Sequence, residues 1–268
     1  MGNKMSDTTY LLKNRGIEAA QRFAALSLLF DPVTLRQFDA CGMRHGWHCW
    51  EVGAGGASLV RKIAERVGNS GRVLATDIDE SWAKEAVAPN VEVRKHDVAR
   101  ENPPNEVFDL VHARLVLVHI PQRDRAFQNM ISTLKPGGWL VIEDADPALQ
   151  PLSCIDVCGP QQELANKIRT GFRTLLSHRG ADLSFGRKLP RMFRKANMED
   201  VAAEAYFPIV LPECVPLEIA TINLIRNDLL NHGIATHDEI ETHLENVRSG
   251  VLDLSQPPMI SVRGRRTQ

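Results

Sequence analysis

The sequence predicts an α/β fold in which a mostly parallel sheet carries helices on both faces. Between residues 46 and 145, short apolar segments alternate with amphipathic ones, as in successive βαβ units. Helical crossovers between parallel strands cover both faces of such a sheet. The segment Gly53-Ala54-Gly55-Gly56 follows the first apolar segment and precedes a helical one, which is typical of a ligand-binding turn in this fold class.

The predicted elements follow in order along the chain. Residues 17–30 carry apolar residues at helical spacing, and Asp31-Pro32 predicts the start of a second helix that Gly42 would end. Strands are then predicted over residues 47–52, 73–76, 91–93, 108–111 and 139–142, with helices over 57–67 and 121–134. Beyond residue 142 the pattern predicts helices within 151–180, 187–196, 216–231 and 236–248, and strands at 201–209 and 259–262.

Composition narrows the classes of function. The chain has 268 residues, 43% of them hydrophobic and 24% charged, which is enough for one large core. A formal net charge of -1 gives no electrostatic reason to expect nucleic acid or an anionic membrane as a partner. Five cysteines without paired spacing favour reduced thiols in a cytoplasmic protein over disulfides or structural zinc. No apolar segment approaches the ~20 residues of a membrane-spanning helix, and the N-terminal residues show no signal-peptide pattern.

The segment from Glu51 to Ala57 carries the strongest chemical signal. Its glycines allow a sharp turn and a close approach of backbone to ligand, and the helix that follows offers free N–H groups. Enzymes that use NAD have a similar turn, although their fingerprint has glycine or alanine where this sequence has Ser58. A tight turn without a ligand is the alternative interpretation of the segment taken alone.

Two carboxylates and a second turn make the ligand more specific. Asp77 ends the second strand, where a carboxylate can accept both hydrogen bonds of a ribose diol. Asp97 ends the third strand, where it could accept a hydrogen bond from an adenine amino group. Residues 134–138, Leu-Lys-Pro-Gly-Gly, predict a turn that leads directly into the fifth strand. The order and spacing of these features indicate a nucleoside-containing cofactor.

Through these residues the segment 46–146 resembles the class I S-adenosylmethionine-dependent methyltransferases, in the branch of the ubiquinone and menaquinone methyltransferases and many natural-product methyltransferases. The resemblance implies a Rossmann-like methyltransferase fold: a mostly parallel seven-stranded sheet with helices on both faces and a helical cap. The last two strands, residues 201–209 and 259–262, would form an antiparallel hairpin. The whole chain, 1–268, would be one domain with a core at about 44–146, 186–210 and 257–264 and a cap from 1–40, 150–185 and 212–252.

The resemblance also implies binding of S-adenosylmethionine, with S-adenosylhomocysteine as product. Carried over residue by residue, the cofactor contacts are Tyr10, Glu51, Gly53, Ala54, Gly55, Asp77, Ile78, Asp97, Val98, Ala113 and Arg114. Glu51 matches the acid of the first motif, and Ile78 would pack on the adenine. Ala113 and Arg114 would flank the sulfonium. Tyr10 would close over the cofactor or, alternatively, anchor a mobile leader.

His119 is the candidate catalytic base. It follows the fourth strand just before a proline-started helix, and an ordinary histidine pKa near ~6.5 would let it accept a proton at neutral pH. A helix-capping role is the alternative. Asp144 and Asp146, at the end of the fifth strand, are expected to contact substrate. No metal is expected, because a sulfonium needs no Lewis acid and a second ligand cluster is lacking. His48 and His112, on predicted strands, are expected to be core groups.

These features predict an enzyme that methylates a small molecule, expected to be a secondary metabolite, at oxygen rather than nitrogen or carbon. A macromolecule methyltransferase is one alternative. The motif of amino-group methyltransferases directly follows the fourth strand, however, whereas Asn102-Pro103-Pro104 precedes it here. A cofactor-binding protein that does not methylate, such as a cyclase, is the other. The sequence is compatible with a homodimer and does not identify the acceptor.

Overall fold

Seven strands form one sheet in the computed structural model of this protein, which describes residues 11–12 and 16–267. The strands are β1 (His48–Val52), β2 (Arg72–Asp77), β3 (Val91–Lys95), β4 (Phe108–Arg114), β5 (Leu134–Ala145), β6 (Glu199–Tyr206) and β7 (Met259–Arg265). The α-helices are α1 (Ile17–Ala40), α2 (Ser58–Val67), α3 (Arg123–Ser132), α4 (Pro160–His178), α5 (Leu189–Lys195), α6 (Cys214–Asn231) and α7 (His237–Ser249).

The strand order is β3-β2-β1-β4-β5-β7-β6, and β7 runs antiparallel to both of its neighbours. The predicted mostly parallel, Rossmann-like sheet and its terminal antiparallel pair are therefore confirmed. The chain leaves β1 toward one edge of the sheet and β4 toward the other, so β1 and β4 mark the switch point of the topology. Val52 pairs with Ala113 there, and the segments that follow the two strands emerge side by side. In sheets of this kind, ligands bind at that place.

Side chains of β1 alternate between two cores, one on each face of the sheet. Trp50 belongs to the cluster that includes Met130 of α3 and Phe193 of α5. Cys49 belongs to the opposite cluster, which includes Ile63 of α2. Both faces of the sheet are thus covered, as the βαβ pattern predicts, and the free edge for a ligand is the carboxyl end of the strands.

Helix α1 departs from the prediction of two helices divided at Asp31-Pro32. It is one helix of 24 residues with Pro32 inside it. Pro32 lacks the N–H that would bond the carbonyl of Leu28, but Leu28 lies on the outer face with 65% of its side chain exposed, where water can satisfy the carbonyl. Asp31 is fully buried and serves a site described below instead of capping a helix start.

Strand β5 and helix α4 also begin at places the sequence pattern did not predict. The segment 134–138 is part of β5, because Phe108 pairs with Leu134 and Leu110 with Trp139, so that two steps along β4 correspond to five along β5. This bulge absorbs the Pro-Gly-Gly segment that had been predicted as a turn. Helix α4 begins only at Pro160, in the first turn, where proline costs no hydrogen bond.

Helices α4, α6 and α7, called the cap helices here, pack on one another through buried apolar residues, among them Ile168, Ile225 and Leu244. Helix α6 also packs along α1, and Met259 at the start of β7 belongs to the same cluster as Leu26 and Leu217. The cap helices therefore lie over the carboxyl ends of β4 and β5. In the described part of the chain, no helix is long and apolar enough to cross a membrane.

Candidate active site

A cleft of about 870 Å³ opens at the switch point between β1 and β4. Its walls come from the segments that follow four strands and from one side of α1: residues 51–56, 77–79, 95–101 and 114–116, the short turn 119–122, and residues 22, 23, 26 and 27. Ligand sites commonly enclose ~300–1,000 Å³. Helix α1 thus roofs the cleft, which the apolar periodicity of residues 17–30 did not indicate.

The glycine segment after β1 has no room for side chains. Gly53 has φ of 65°, and a Cβ there would collide with Val116 Cγ2. Gly55 has φ of 58°, and a Cβ would lie 2.7 Å from the Phe23 ring. Both conformations are rare for residues with a side chain, so glycine is required twice over. The bare backbone of this segment therefore faces the cleft, as the sequence predicts.

Asp77 lies at the bottom of the cleft and is 6% exposed. One carboxylate oxygen accepts a hydrogen bond of 2.9 Å from the Gly55 amide, and the other accepts one of 2.9 Å from the Asp79 amide. Burial raises the pKa of Asp77 above its usual value, and these two amides oppose the rise. Each carboxylate oxygen has a second lone pair, so Asp77 can fix the glycine segment and still accept hydrogen bonds from a diol.

The remaining predicted contacts of the nucleoside lie in the same cleft. Ala54, Ile78, Asp97 and Val98 all line it. Ile78 is 52% exposed, which is the exposure of an apolar side chain with a free face for a flat ring. Asp97 Oδ1 accepts hydrogen bonds from the amides of Ala99 at 2.9 Å and Arg100 at 3.2 Å, and these fix the carboxylate at the rim. Tyr10 lies outside the described residues.

Ala113 and Arg114 do not both reach the cleft. Ala113 is buried in the sheet core and does not line the cleft, so its contact with the cofactor stays a prediction. It precedes Arg114 on an alternating strand and points to the other face. Arg114 does line the cleft, but its guanidinium donates to Asp31 Oδ1 at 2.8 Å and to Thr34 Oγ1 at 2.9 Å. Its charge is therefore directed at α1.

Asp31 joins three elements around the cleft. Besides Arg114 on β4, its carboxylate accepts hydrogen bonds from Ser58 Oγ at 2.8 Å and Lys62 Nζ at 2.7 Å, both on α2. Burial would raise the pKa of Asp31, but the charge of Arg114 and the hydrogen bonds lower it below its usual value. Ser58, which departs from the dinucleotide fingerprint, thus holds α2 to α1. This group keeps α1 over the glycine segment.

Beneath the cleft, His112 lies between two buried carboxylates. Its Nδ1 is 2.6 Å from Glu51 Oε2, and its Nε2 is 3.2 Å from Glu143 Oε2. Burial opposes protonation, but the charge of Glu51 and the hydrogen bond with Glu143 outweigh it and raise the pKa of His112 to about 9. Ser261 Oγ donates to Glu143 Oε1 at 2.6 Å, and Thr34 donates to the other oxygen. His112 is a buried core group, as predicted, and at neutral pH it is an imidazolium.

His119 lies at the end of the cleft, on the short turn Leu117–His119 that follows β4. Burial first, and then the positive charges of Arg22 and Arg123, lower its pKa to about 3. The imidazole is therefore neutral throughout the physiological pH range. His119 lies in the cleft, near the position predicted for it, but the prediction of an ordinary histidine pKa is wrong. The sequence around His119 did not indicate that the two arginines would lie near it.

The acidic segment at the end of β5 faces away from the cleft. Asp146 is buried and binds the Arg187 guanidinium through both oxygens, at 2.7 and 2.5 Å, and the Arg187 amide at 2.9 Å. Asp144 is fully buried near the amides of Leu117 and Val118, and burial raises its pKa well above the usual value. Neither side chain lines the cleft, and the contact of Asp144 and Asp146 with substrate stays a prediction.

A metal site is not evident in the part of the chain that the structure describes, where no three histidine, cysteine or acidic side chains cluster as ligands. The expected independence from metal stays a prediction.

Leu115 is a site residue that the sequence did not indicate. It follows β4 directly and has φ of 56°, a conformation that a residue with a side chain rarely adopts. Its amide donates to the Glu143 carbonyl at 2.8 Å, which keeps the segment on the sheet while the side chain turns into the cleft. Strained residues of this kind concentrate at functional sites.

Comparisons with known proteins agree with this geometry. Residues 50–138 match the model of a methyltransferase domain family. Over 124 residues the chain is 32% identical to the ubiquinone/menaquinone biosynthesis C-methyltransferase UbiE of Escherichia coli K12, a match that covers 43% of this chain and 49% of that protein. The chain thus spans about half the length of the curated relatives it matches.

Solved structures share the fold at low sequence identity. Phosphoethanolamine N-methyltransferase 2 of Haemonchus contortus, solved with S-adenosylhomocysteine, aligns with a TM-score of 0.59 and 16% identity over 94% of this chain and 58% of that one. The [4+2]-cyclase SpnF aligns with a TM-score of 0.51 and 15% identity over 88% and 80%. Residues 50–138 therefore match a methyltransferase domain family, and the chain has the Rossmann-like fold of class I methyltransferases.

Proposed function

We propose that this protein binds S-adenosylmethionine in the cleft and transfers its methyl group to a small organic acceptor, at oxygen in preference to nitrogen or carbon. The observation that carries the proposal is the arrangement of the cleft. The glycine segment, Asp77 and Asp97 line it at the switch point, and His119 stands where the same cleft ends against the cap helices. This arrangement provides for a nucleoside at one place and for a reacting group at another.

The residues of the cleft fit the cofactor. The exposed backbone at Gly53 and Gly55 suits the close approach of the methionine part, since a Cβ at either position would fill the space. Asp77 can accept hydrogen bonds from the ribose diol, and Ile78 offers an apolar face to the adenine. The carboxylate of Asp77 favours a ligand with a cationic centre over one with a pyrophosphate. When bound, S-adenosylmethionine supplies a methyl group on a sulfonium, from which a neutral thioether leaves.

His119 has the properties of a group that orients the acceptor. A neutral imidazole can accept the hydrogen bond of an acceptor hydroxyl and direct a lone pair of its oxygen toward the methyl group. A base with a pKa of about 3 does not remove the proton of a free hydroxyl. As the new carbon–oxygen bond forms, however, the oxygen gains positive charge and its proton becomes strongly acidic. The proton can then pass to His119 and on to water, so a weak base is sufficient.

The net charge of the chain and its cysteines support a small-molecule acceptor in a reducing compartment. The net charge of -1 offers no attraction to nucleic acid. The thiols of Cys41, Cys49, Cys154 and Cys214 are buried and free, which supports a reducing, cytoplasmic location.

A second candidate function keeps the cofactor as a fixed charge without methyl transfer, since the same fold serves a protein named as a cyclase.

One experiment separates the two functions. The purified protein is incubated with S-adenosylmethionine labelled at its methyl group and a set of phenols, enols and amines, and the products are analysed by mass spectrometry. The proposal predicts a product with one labelled methyl group and an equal amount of S-adenosylhomocysteine. Conversion of an acceptor without gain of the label would contradict it and favour the second function. The attachment atom, read from the fragment masses, tests the preference for oxygen.

A further inference from the structure

A second cavity adjoins the cleft beneath the cap helices. Its volume is about 90 Å³, several times the ~10–15 Å³ that a cavity needs to hold one water molecule. Four residues, Arg22, Leu26, Leu115 and His119, line both this cavity and the cleft. A molecule in the cavity would therefore meet the contents of the cleft at His119. We call this space the acceptor cavity.

Most of the wall of the acceptor cavity is apolar. Helices α1, α4 and α6 and the start of β7 contribute Phe30, Phe172, Leu217, Ile222 and Met259. These apolar side chains bind the apolar part of a small molecule by removing it from water, and they offer no compensation to a charged group. The charged residues that line the cavity are Arg22, shared with the cleft, and the pair of Arg169 and Glu218. The bulk of the ligand must therefore be apolar.

The charges of Arg169 and Glu218, which both line the acceptor cavity, cancel each other. Arg169 Nη2 is 3.0 Å from Glu218 Oε2, and His243 Nε2 is 3.0 Å from Glu218 Oε1. Burial alone would raise the pKa of Glu218, but Arg169 and His243 lower it to about 2, so the carboxylate stays ionised beside the guanidinium. Arg169 also donates to Ser153 Oγ at 3.3 Å. An ionised ligand would have to compete with this pairing.

Gln256 also lines the acceptor cavity, and its side-chain amide has an N–H group without a hydrogen-bond acceptor among the described residues. It is 7% exposed, and within the described residues its side-chain Nε2 makes no hydrogen bond. A buried N–H group without a partner is rare in native proteins, because it loses its bond to water and gains nothing in return. Gln256 lines the acceptor cavity, so a ligand there can provide the missing acceptor.

We infer that the acceptor cavity holds the methyl acceptor, and that this acceptor is a compact, uncharged and mainly apolar molecule about the size of one ring. One oxygen of it accepts a hydrogen bond from Gln256 Nε2. Its reacting atom lies toward His119. This inference rests on the proposed function for the direction of methyl transfer. The binding of the molecule can be tested without turnover.

The test uses three one-ring probes of similar size: phenol, which has an oxygen; toluene, which has none; and benzoate, which is ionised. Their dissociation constants are measured by nuclear magnetic resonance titration of the full chain saturated with S-adenosylhomocysteine. Phenol is expected to bind about two- to tenfold more tightly than toluene, the difference that one net hydrogen bond makes. Benzoate is expected to bind at least about tenfold more weakly than phenol.

Two variants and one control locate the site. Gln256→Leu is expected to lower phenol affinity to that of toluene and to leave toluene unchanged. Ala181→Leu narrows the cavity and is expected to weaken both probes. Gln161→Leu, at an exposed position of α4, is the matched control and should bind like wild type. The affinity of each variant for S-adenosylhomocysteine verifies its fold.

The outcomes are distinguishable. Benzoate binding as tightly as phenol, a preference for phenol that survives Gln256→Leu, or normal S-adenosylhomocysteine binding without any probe binding would overturn the inference and leave the proposed function standing. Failure of the wild-type protein to bind S-adenosylhomocysteine would instead overturn the proposed function. Retained affinities for all three probes in Ala181→Leu would place their site elsewhere and overturn the inference as well.

Discussion

The buried group Glu51–His112–Glu143 can be tested by the substitution Glu143→Gln. Glutamine has nearly the same shape, and its one carbonyl oxygen can still accept the hydrogen bond from His112, while its NH2 replaces the oxygen to which Ser261 donates. The substitution removes one of the two negative charges beside the imidazolium. Glu51 remains, so the substitution leaves no carboxylate without a partner. The expected change is therefore electrostatic, and it is reported by the proton affinity of His112.

The magnitude follows from the loss of negative charge on the hydrogen-bond acceptor of His112. A hydrogen bond to a charged group contributes about 1.5–3 kcal/mol, and 1.36 kcal/mol corresponds to a pKa change of about one. The pKa of His112, about 9 in the wild type, is therefore expected to fall to roughly 7–8 in Glu143→Gln. Both values exceed the ordinary 6.5, so in both proteins protonated His112 stabilises the fold fully below pH 6.5 and loses this effect as pH rises through the folded-state pKa.

The assay is a titration of the His112 side-chain nitrogens by nitrogen-15 nuclear magnetic resonance between about pH 5 and 10. Urea denaturation at about pH 6.5 should show that Glu143→Gln lowers the free energy of unfolding by roughly 1.5–3 kcal/mol. That difference should shrink above pH 9, because wild-type His112 then loses its proton as well. Glu65→Gln, at an exposed position of α2, is the control and should change neither quantity. A wild-type His112 that titrates near 6.5 would refute the reasoning.

Three further predictions concern the cleft. Gly55→Ala should weaken S-adenosylhomocysteine binding by about tenfold or more, because the new Cβ would lie 2.7 Å from the Phe23 ring at a positive φ. The control is Gly137→Ala, at a positive φ with open space around it, which should leave the affinity measured by calorimetry unchanged. Equal effects of the two substitutions would count against the packing argument. His119→Ala should lower turnover by ~10²–10⁴-fold with cofactor affinity preserved, and, since the pKa of His119 is about 3, wild-type turnover should show no step near pH 6.5 that the variant lacks. Activity should survive EDTA, and its loss with recovery on adding magnesium would disprove the expectation of a metal-independent reaction.

Local pattern was sufficient to predict the mostly parallel sheet and the glycine and acidic residues that meet in the cleft. The alternation of strands and helices places Gly53, Asp77 and Asp97 at the carboxyl ends of three neighbouring strands, whatever the side chains farther away do. These residues face the cleft because the ends of parallel strands in one sheet meet at one edge. The acid and glycine positions were therefore determined by the order of elements along the chain.

The surroundings of Arg114, Asp146 and His119 depend on pairs of residues that are far apart in the sequence, which no local pattern reveals. Arg114 meets Asp31 83 residues away, and Asp146 meets Arg187 41 residues away. In each ion pair, a charged group that the sequence predicted to contact a ligand is bound to another side chain. The pKa of His119 is low because burial and two arginines from other segments act together.

The central claim is that the cleft binds S-adenosylmethionine through Asp77, and isothermal titration calorimetry with S-adenosylhomocysteine tests it most directly. The wild-type protein should bind one molecule per chain and should not bind NAD. Asp77→Ala removes a charge-assisted pair of hydrogen bonds, so affinity should fall by about 1.5–3 kcal/mol, or roughly 10- to 150-fold, while the Glu65→Gln control binds like wild type. Absence of binding to the wild type, binding of NAD in its place, or unchanged affinity in Asp77→Ala would contradict the account.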